Sequence, residues 1–202
     1  MTIQSTPKYH HGDLRKKLIE STSAMIREDG LASVSLRKLA ERTGVSRTAP
    51  YHHFKDKNEL LAAVAEQGFD QLTRLLQAPA GDRSLSLSEQ LEQSILNYIT
   101  FAVTSPTQYE LMFGRTLWRD KPSERLQRRA KDCFREHANI IRRFHEQGYL
   151  SRNEDPLRLA QLMWSALHGL VTLSLDGIIV RQDDLEEISR YALKKLMQMI
   201  DA

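Results

Sequence analysis

Ser35-Leu36-Arg37-Lys38-Leu39-Ala40-Glu41-Arg42-Thr43-Gly44-Val45-Ser46-Arg47-Thr48-Ala49-Pro50-Tyr51-His52-His53-Phe54-Lys55-Asp56-Lys57 is the stretch whose reading decides the fold. Ser35 is a good helix cap, and Leu36, Leu39 and Ala40 follow at inward spacing while Arg37, Lys38 and Arg42 face out. Thr43-Gly44-Val45 makes a sharp turn, where Gly44 supplies the positive φ that a tight reversal requires. Ser46 is expected to cap a second, short helix that ends in an aromatic residue, two histidines and a lysine. A helix, a tight turn and a second helix form a helix-turn-helix, which lays one helix across a nucleic-acid backbone and the next into the major groove. The pattern points to sequence-directed DNA binding rather than catalysis.

The chemistry of the stretch fits that layout. A helix entering the major groove needs a slim polar leading face, which Ser46, Arg47 and Thr48 supply. Arg47 is placed for a bidentate contact to guanine, worth about 1–3 kcal/mol of discrimination. Tyr51, His52 and His53 carry phenol and imidazole donors suited to phosphates. Lys57 and Ser35 sit at helix starts, where backbone amides add to the same clamp. Phe54 reads as a core plug holding this helix to the first one. The His52-His53 pair does not read as a metal site, because adjacent helical residues diverge by about 100°. Pro50 is the irregular residue, expected to cost a backbone hydrogen bond and to force a tight helix start.

Outward from the motif the chain reads as helices throughout, with no period-two alternation. A first helix is expected over about 13–28, with Leu14, Leu18, Ile19, Met25 and Ile26 on its apolar face. Asp56 and Glu59 suggest a capping box opening a long helix that frays at Pro79-Ala80-Gly81. Ser86 starts another helix, which Pro106 ends, and a short segment runs on to Gly114. A charged helix covers roughly 123–147. Asp155-Pro156 pairs a cap with proline at the first helical position. Asp183-Asp184-Leu185-Glu186 opens the last helix, with Leu185, Ile188, Ala192, Leu196 and Ile200 at helical spacing. The expectation is an all-α protein of about nine helices: a DNA-binding domain over 1–57, a connecting helix and linker over 58–82, and a helical regulatory domain over 83–202.

Composition is consistent with this and excludes several classes. Hydrophobic content of 41% and charged content of 27% are ordinary for a globular protein. Residues 1–60 carry 11 Lys/Arg against 7 Asp/Glu, whereas the remainder carries 18 against 19, so the positive excess lies at the motif-bearing end. A single cysteine, Cys133, supports no disulfide framework and suits a reducing cytoplasm. The polar N-terminus, with Lys8, His10 and His11, does not resemble a signal peptide. The apolar run 162–180 approaches membrane-spanning length, but His168, Gly169, Asp176 and Gly177 interrupt it, and a buried helix is the better reading. Nucleophile elbows, zinc-protease motifs, Gly-rich phosphate loops and Cys-x-x-Cys pairs are missing, so no residue supports an enzyme. Cys133 and His137 have metal-like spacing but lack a third and fourth ligand, and no cofactor is implied.

Residues 12–60 resemble the DNA-binding domain of TetR/AcrR-type transcriptional regulators. The resemblance rests on Gly-Asp-Leu-Arg at 12–15, Leu-Ala-Glu-Arg-Thr-Gly-Val-Ser at 39–46 and, most specifically, Tyr-His-His-Phe-Lys-Asp-Lys at 51–57. It implies phosphate roles for Tyr51, His53 and Lys57 and groove-facing roles for Ser46, Arg47 and Thr48. Pro50 replaces the aliphatic residue more usual there. Trp164-Ser165-Ala166-Leu167-His168-Gly169 looks like the Trp-x-x-x-His-Gly signature of one branch of the family's regulatory domains, and Tyr109 to Phe113 fits the same branch. The family implies a homodimer formed by the last two helices and a small-molecule effector pocket in each regulatory domain.

Tyr98, Phe101, Met112, Phe113, Phe134, Trp164 and His168 are the candidates for that pocket. Taken singly, each of the aromatics and Met112 is better explained as core, and a histidine placed like His168 is more often a satisfied core or interface group. The leading expectation is therefore a ligand-responsive homodimeric regulator, a repressor of genes behind palindromic double-stranded DNA. The competing reading is a helical interaction or enzyme module whose basic end merely docks onto acidic partners.

Overall fold

The computed structural model describes residues 11–119, 122–178, 181 and 184–200. Lys8 and His10 of the polar start, Ile179 and Val180 of the apolar run, and the expected cap at Asp183 lie outside them. So do the side chains of Leu196 and Ile200. The described chain is all helical, with nine α-helices: α1 (His11–Asp29), α2 (Leu36–Thr43), α3 (Lys57–Gln77), α4 (Leu87–Thr104), α5 (Pro106–Phe113), α6 (Arg115–Trp118), α7 (Glu124–Glu146), α8 (Pro156–Leu175) and α9 (Leu185–Ile200). Short 3-10 turns occupy Leu31–Ser33, Ala49–His52 and Ala78–Gly81.

Cap chemistry sets most of these boundaries. Ser35 accepts from Lys38 N–H at 3.2 Å and starts α2. Ser86 and Glu89 form a full capping box at the start of α4, and Asp155 accepts from Leu157 and Arg158 at the start of α8. At Asp56 the box is displaced by one residue: Asp56 accepts from Glu59 N–H at 2.9 Å, while the Glu59 carboxylate reaches Lys55 N–H instead. Pro106 ends α4 as expected, and then serves as the first residue of α5, where its missing N–H costs nothing.

The long helix α3 is the spine. It packs on α1 at the motif-bearing end and on α4, α5 and α7 at the other, so that one apolar core runs from Leu18 and Phe54 through Phe69 and Leu72 to Phe144 and Val171. Gly68 on α3 lets Met112 approach so closely that a Cβ there would collide with its sulfur. The two ends also meet through charge. Glu66 of α3 is buried and pairs with Arg125 of α7 at 2.8 Å, and Asp70 pairs with Arg129 at 3.2 Å. Burial pushes the Glu66 carboxyl above its ordinary range, against the pull of Arg125 and of Arg15 from α1. No helix among the described residues is long and apolar enough to cross a membrane.

Candidate DNA interface and effector clefts

The turn of the motif is built as its sequence demands. Gly44 adopts φ 70° and ψ 30°, its N–H bonds Glu41 O, and Val45 N–H bonds Ala40 O at 3.1 Å. That pair of bonds is a Schellman motif, which closes α2 and aims the chain sharply away from it. Thr43 is buried and hydrogen-bonded to Leu39 O, and Lys17 of α1 donates to Thr43 O at 3.1 Å, so the turn is held from both sides.

The segment after the turn departs from expectation. An α-helix capped by Ser46 would take its first internal bond from the N–H of residue 50 to Ser46 O. Pro50 has no N–H, and its ring would crowd that carbonyl. Ala49 N–H fills the vacancy at 3.0 Å, the i→i+3 bond of a 3-10 helix, which then runs only from Ala49 to His52. Ser46 therefore caps no α-helix, and its hydroxyl pairs with Thr48 at 3.2 Å. Pro50 is buried, and its carbonyl accepts from both His53 and Phe54 N–H.

The side chains are nevertheless disposed in two sets. Ser46, Arg47, Thr48, Tyr51 and His52 are exposed, with Tyr51 at 57% of its full area. A tyrosine so exposed is not packing in the core. Phe54 is buried at 1% exposure among the α1–α3 apolar side chains, with the Arg15 guanidinium 5.3 Å from its ring centroid. His53 is half-buried with its ring beside Phe54. Ser35 is half-buried and commits its hydroxyl oxygen to its own helix. Lys57 is also half-buried, and its ammonium donates to Leu31 O at 3.1 Å, tying the 3-10 turn after α1 to the start of α3. Two of its three donors remain for a phosphate. Lys55, which the sequence reading did not single out, is exposed beside it, and Lys-x-Lys spacing was the available signal.

At the other end the pocket candidates divide into three groups. Phe113, Phe134 and Trp164 line a cleft of about 400 Å³ together with Trp118 and Lys131. Phe113 and His168 line a second cleft of about 390 Å³ with Tyr109, Glu110, Thr172 and Asp176. The Phe113 ring stands between the two, 4.9 Å from His168 and 6.3 Å from Trp164 by centroids. Tyr98 is fully buried behind this wall, edge-on to Trp164 at 5.3 Å. Phe101 and Met112 are core residues that, like Tyr98, line neither cleft. Their helical neighbours take the available surface.

A hydrogen-bond chain crosses the wall: Tyr98 OH to Tyr109 OH at 2.6 Å, and Tyr109 OH to His168 Nδ1 at 2.5 Å. Burial pushes both phenols up and lowers His168, so all three are neutral near pH 7. His137 is buried against Trp164, bonds Ala160 O at 3.1 Å and is lowered by burial to about 4. Cys133 beside it on α7 is pushed up by burial to about 12. No group of three metal-ligating side chains occurs among the described residues. Glu110, Thr172 and Asp176 were not anticipated; His168, Thr172 and Asp176 share a helix face at spacings of four.

Comparison with known proteins settles the family. The profile described as "Tetracyclin repressor-like, C-terminal domain" matches residues 91–196, and that of "Bacterial regulatory proteins, tetR family" matches residues 18–64. The chain belongs to the TetR family. Among curated relatives, the HTH-type transcriptional regulator PksA of Bacillus subtilis (strain 168) is 25% identical over 179 residues, 88% of this chain and 87% of that protein. The HTH-type transcriptional regulator TtgR of Pseudomonas putida is 26% identical over 169 residues, 79% of each. A solved structure of a protein of unknown function from Rhodococcus sp. RHA1 superposes with a TM-score of 0.81 at 26% identity, covering 96% of this chain and 99% of that one. This TetR-family chain is thus an all-α transcriptional regulator with an N-terminal helix-turn-helix and a C-terminal helical domain.

Proposed function

We propose that this TetR-family regulator is a cytoplasmic repressor that grips palindromic operator DNA as a homodimer and lets go when a small molecule fills its regulatory clefts. The observation that carries the reading is the exposed set Ser46, Arg47, Thr48, Tyr51 and His52, presented by the turn and short 3-10 helix after α2, with Pro50 and Phe54 buried behind it. Arg47 and its two hydroxyl neighbours read bases, while Tyr51, His52, His53, Lys57 and the amides at the starts of α2 and α3 hold phosphates. Residues 1–57 act as the reader, 58–82 as the connecting spine and 83–202 as the sensor.

The dimer forms through α8 and α9. Support comes from the large apolar side chains left in water there: Leu157 and Leu162 on α8, Ile178 just after it, and Tyr191 on α9. A two-fold axis through that face would set two recognition helices about one DNA turn, ~34–36 Å, or a small multiple apart. Trp164 and His168 in the wall between the clefts favour the Trp-x-x-x-His-Gly branch of the family. Occupation of the clefts would favour a dimer geometry that no longer fits the operator, with coupling of typically ~1–3 kcal/mol.

Gel shifts with the DNA flanking the protein's own coding region test the reading. Wild type is expected to give a discrete complex that survives nonspecific competitor. Replacing Tyr51 and Lys57 together by Ala is expected to weaken binding to every sequence, while Arg47→Ala blurs preference at one position by about 1–3 kcal/mol. A double variant that binds duplex DNA like wild type at moderate salt sinks the proposal.

A further inference from the structure

The Tyr98–Tyr109–His168 chain has only one direction in which all its protons are placed. Tyr98 is fully buried, and its sole hydrogen-bond partner among the described residues is the Tyr109 hydroxyl at 2.6 Å. Were Tyr98 to accept, its own proton would be sealed in the core with no acceptor, so Tyr98 donates. The Tyr109 oxygen then accepts and its proton must go on to His168 Nδ1, 2.5 Å away. Nδ1 is thereby an acceptor, and neutral His168 carries its proton on Nε2. Nε2 has no partner among the described residues, and it is not among the solvent-sealed atoms. A tyrosine in the core, on α4, thus presets a donor at the edge of the cleft.

The rest of that cleft has a definite sign. Glu110 and Asp176 stand on its rim, and no Lys or Arg among the described residues lines it. Helix α8 ends there at Leu175, adding the partial negative charge of its last carbonyls. The rings of Tyr109 and Phe113, 4.8 Å apart by centroids, form its apolar wall. The neighbouring cleft across Phe113 differs, with Lys131 as its one ionisable side chain among the described residues.

We infer that the His168 cleft takes an organic cation that also carries a neutral hydrogen-bond acceptor, the acceptor meeting His168 Nε2–H and the positive group lying between Glu110 and Asp176. The inference rests on the reading of the clefts as an effector site, and it supplies the class of ligand that this one selects. Carboxylate ligands are disfavoured by the same two rim charges that favour an ammonium.

The test uses the full chain labelled with ¹⁵N-histidine and four small probes of one shape. They are 4-(aminomethyl)acetophenone, with both features; 4-ethylbenzylamine, lacking the acceptor; 4-ethylacetophenone, lacking the cation; and 4-acetylbenzoate, with the charge reversed. The ¹⁵N spectrum of the free protein should show His168 Nδ1 bare and Nε2 protonated, the signal being assigned by its loss in His168→Gln. Tyr109→Phe should mix the tautomers, and this variant keeps the ring that packs on Phe113. On titration the first probe should shift Nε2 and bind about five- to tenfold more tightly than either probe lacking one feature. The acetylbenzoate should be weakest. The advantage of the ammonium should vanish in the Glu110→Gln/Asp176→Asn double variant, whose two positions are exposed. A free protein with the proton on Nδ1 overturns the inference. So does equal affinity for all four probes, and in that case ¹⁵N shifts at His137, whose ring packs on Trp164, would leave the effector reading standing. No response to any probe up to about 10 mM overturns the inference as well. The effector reading itself falls only if broader ligand sets also fail to release the protein from DNA.

Discussion

The two ends of this regulator are built on opposite plans. The motif-bearing end is assembled from one unbroken stretch, Ser35 to Lys57, whose turns are set by near neighbours and which Lys17, Leu31 and Arg15 then tie to the first helix and the turn after it. A hydroxyl caps α2, Gly44 turns the chain, and Pro50 cuts the next helix to a 3-10 turn. The cleft-bearing end draws its wall from α5, α7 and α8, joining Tyr109, Phe113, Phe134, Trp164 and His168 across as many as 59 residues of sequence. Local rules govern the first, and packing of distant helices governs the second. The lesson is that a turn can be specified by neighbours in sequence, while a cleft walled by rings exists only once distant helices have packed.

The strongest challenge to that contrast is Phe54→Ala. Removing this buried ring should cost about 3–5 kcal/mol, measured by urea unfolding. Amide protection should be lost over α1 and α2 while α7 and α8 keep theirs. Uniform loss along the chain would show that the shared core makes the two ends one cooperative unit, and would break the comparison. A smaller effect is expected from Tyr98→Phe, which leaves the Tyr109 oxygen without its donor and should lower stability by about 1–3 kcal/mol. Operator affinity should stay within about twofold, on the grounds that distant independent sites add. An equal fall in DNA binding would join what is here separated.

The smallest expected effect lies at the joint. Glu66 has a folded-state pKa above its ordinary value because burial outweighs Arg125 and Arg15. The folded protein therefore takes up this proton first. Its stabilising contribution is complete below the ordinary carboxylate value and is lost as pH rises through the raised one. Glu66→Gln should accordingly match wild type near pH 4.5 and equal or exceed its stability at neutral pH, by no more than about 1 kcal/mol. Arg125 is largely exposed and can turn to water when its partner is lost. A large loss at neutral pH would instead make the ion pair the clasp that couples reader to sensor.

Much of the reader was legible in advance, since caps, a positive-φ glycine and a proline announce themselves to neighbours within four residues. Even the departure at Ser46 follows from one missing N–H, and Pro50 was the place to look for it. The displaced box at Asp56 was less legible, because choosing between Lys55 and Asp56 N–H depends on how the loop enters α3. In the C-terminal half, four of the seven expected pocket residues, Phe113, Phe134, Trp164 and His168, line the two clefts, whereas Tyr98, Phe101 and Met112 turn inward and Glu110, Thr172 and Asp176 reach a cleft instead. Helical periodicity separates a buried face from an exposed one. It does not tell which buried ring borders empty space.

By itself, then, the sequence determined the helical class and the helix-turn-helix with its exposed polar face at Ser46 to Thr48, because those depend on bonds closed within a turn or two of chain. The tertiary structure alone decided that Phe113 divides two clefts of unlike charge. It alone placed Tyr98 so that a hydroxyl in the core reaches His168 at the cleft through Tyr109. Those properties arise where side chains from α4, α5 and α8 meet, and no short-range rule relates residues so far apart in sequence.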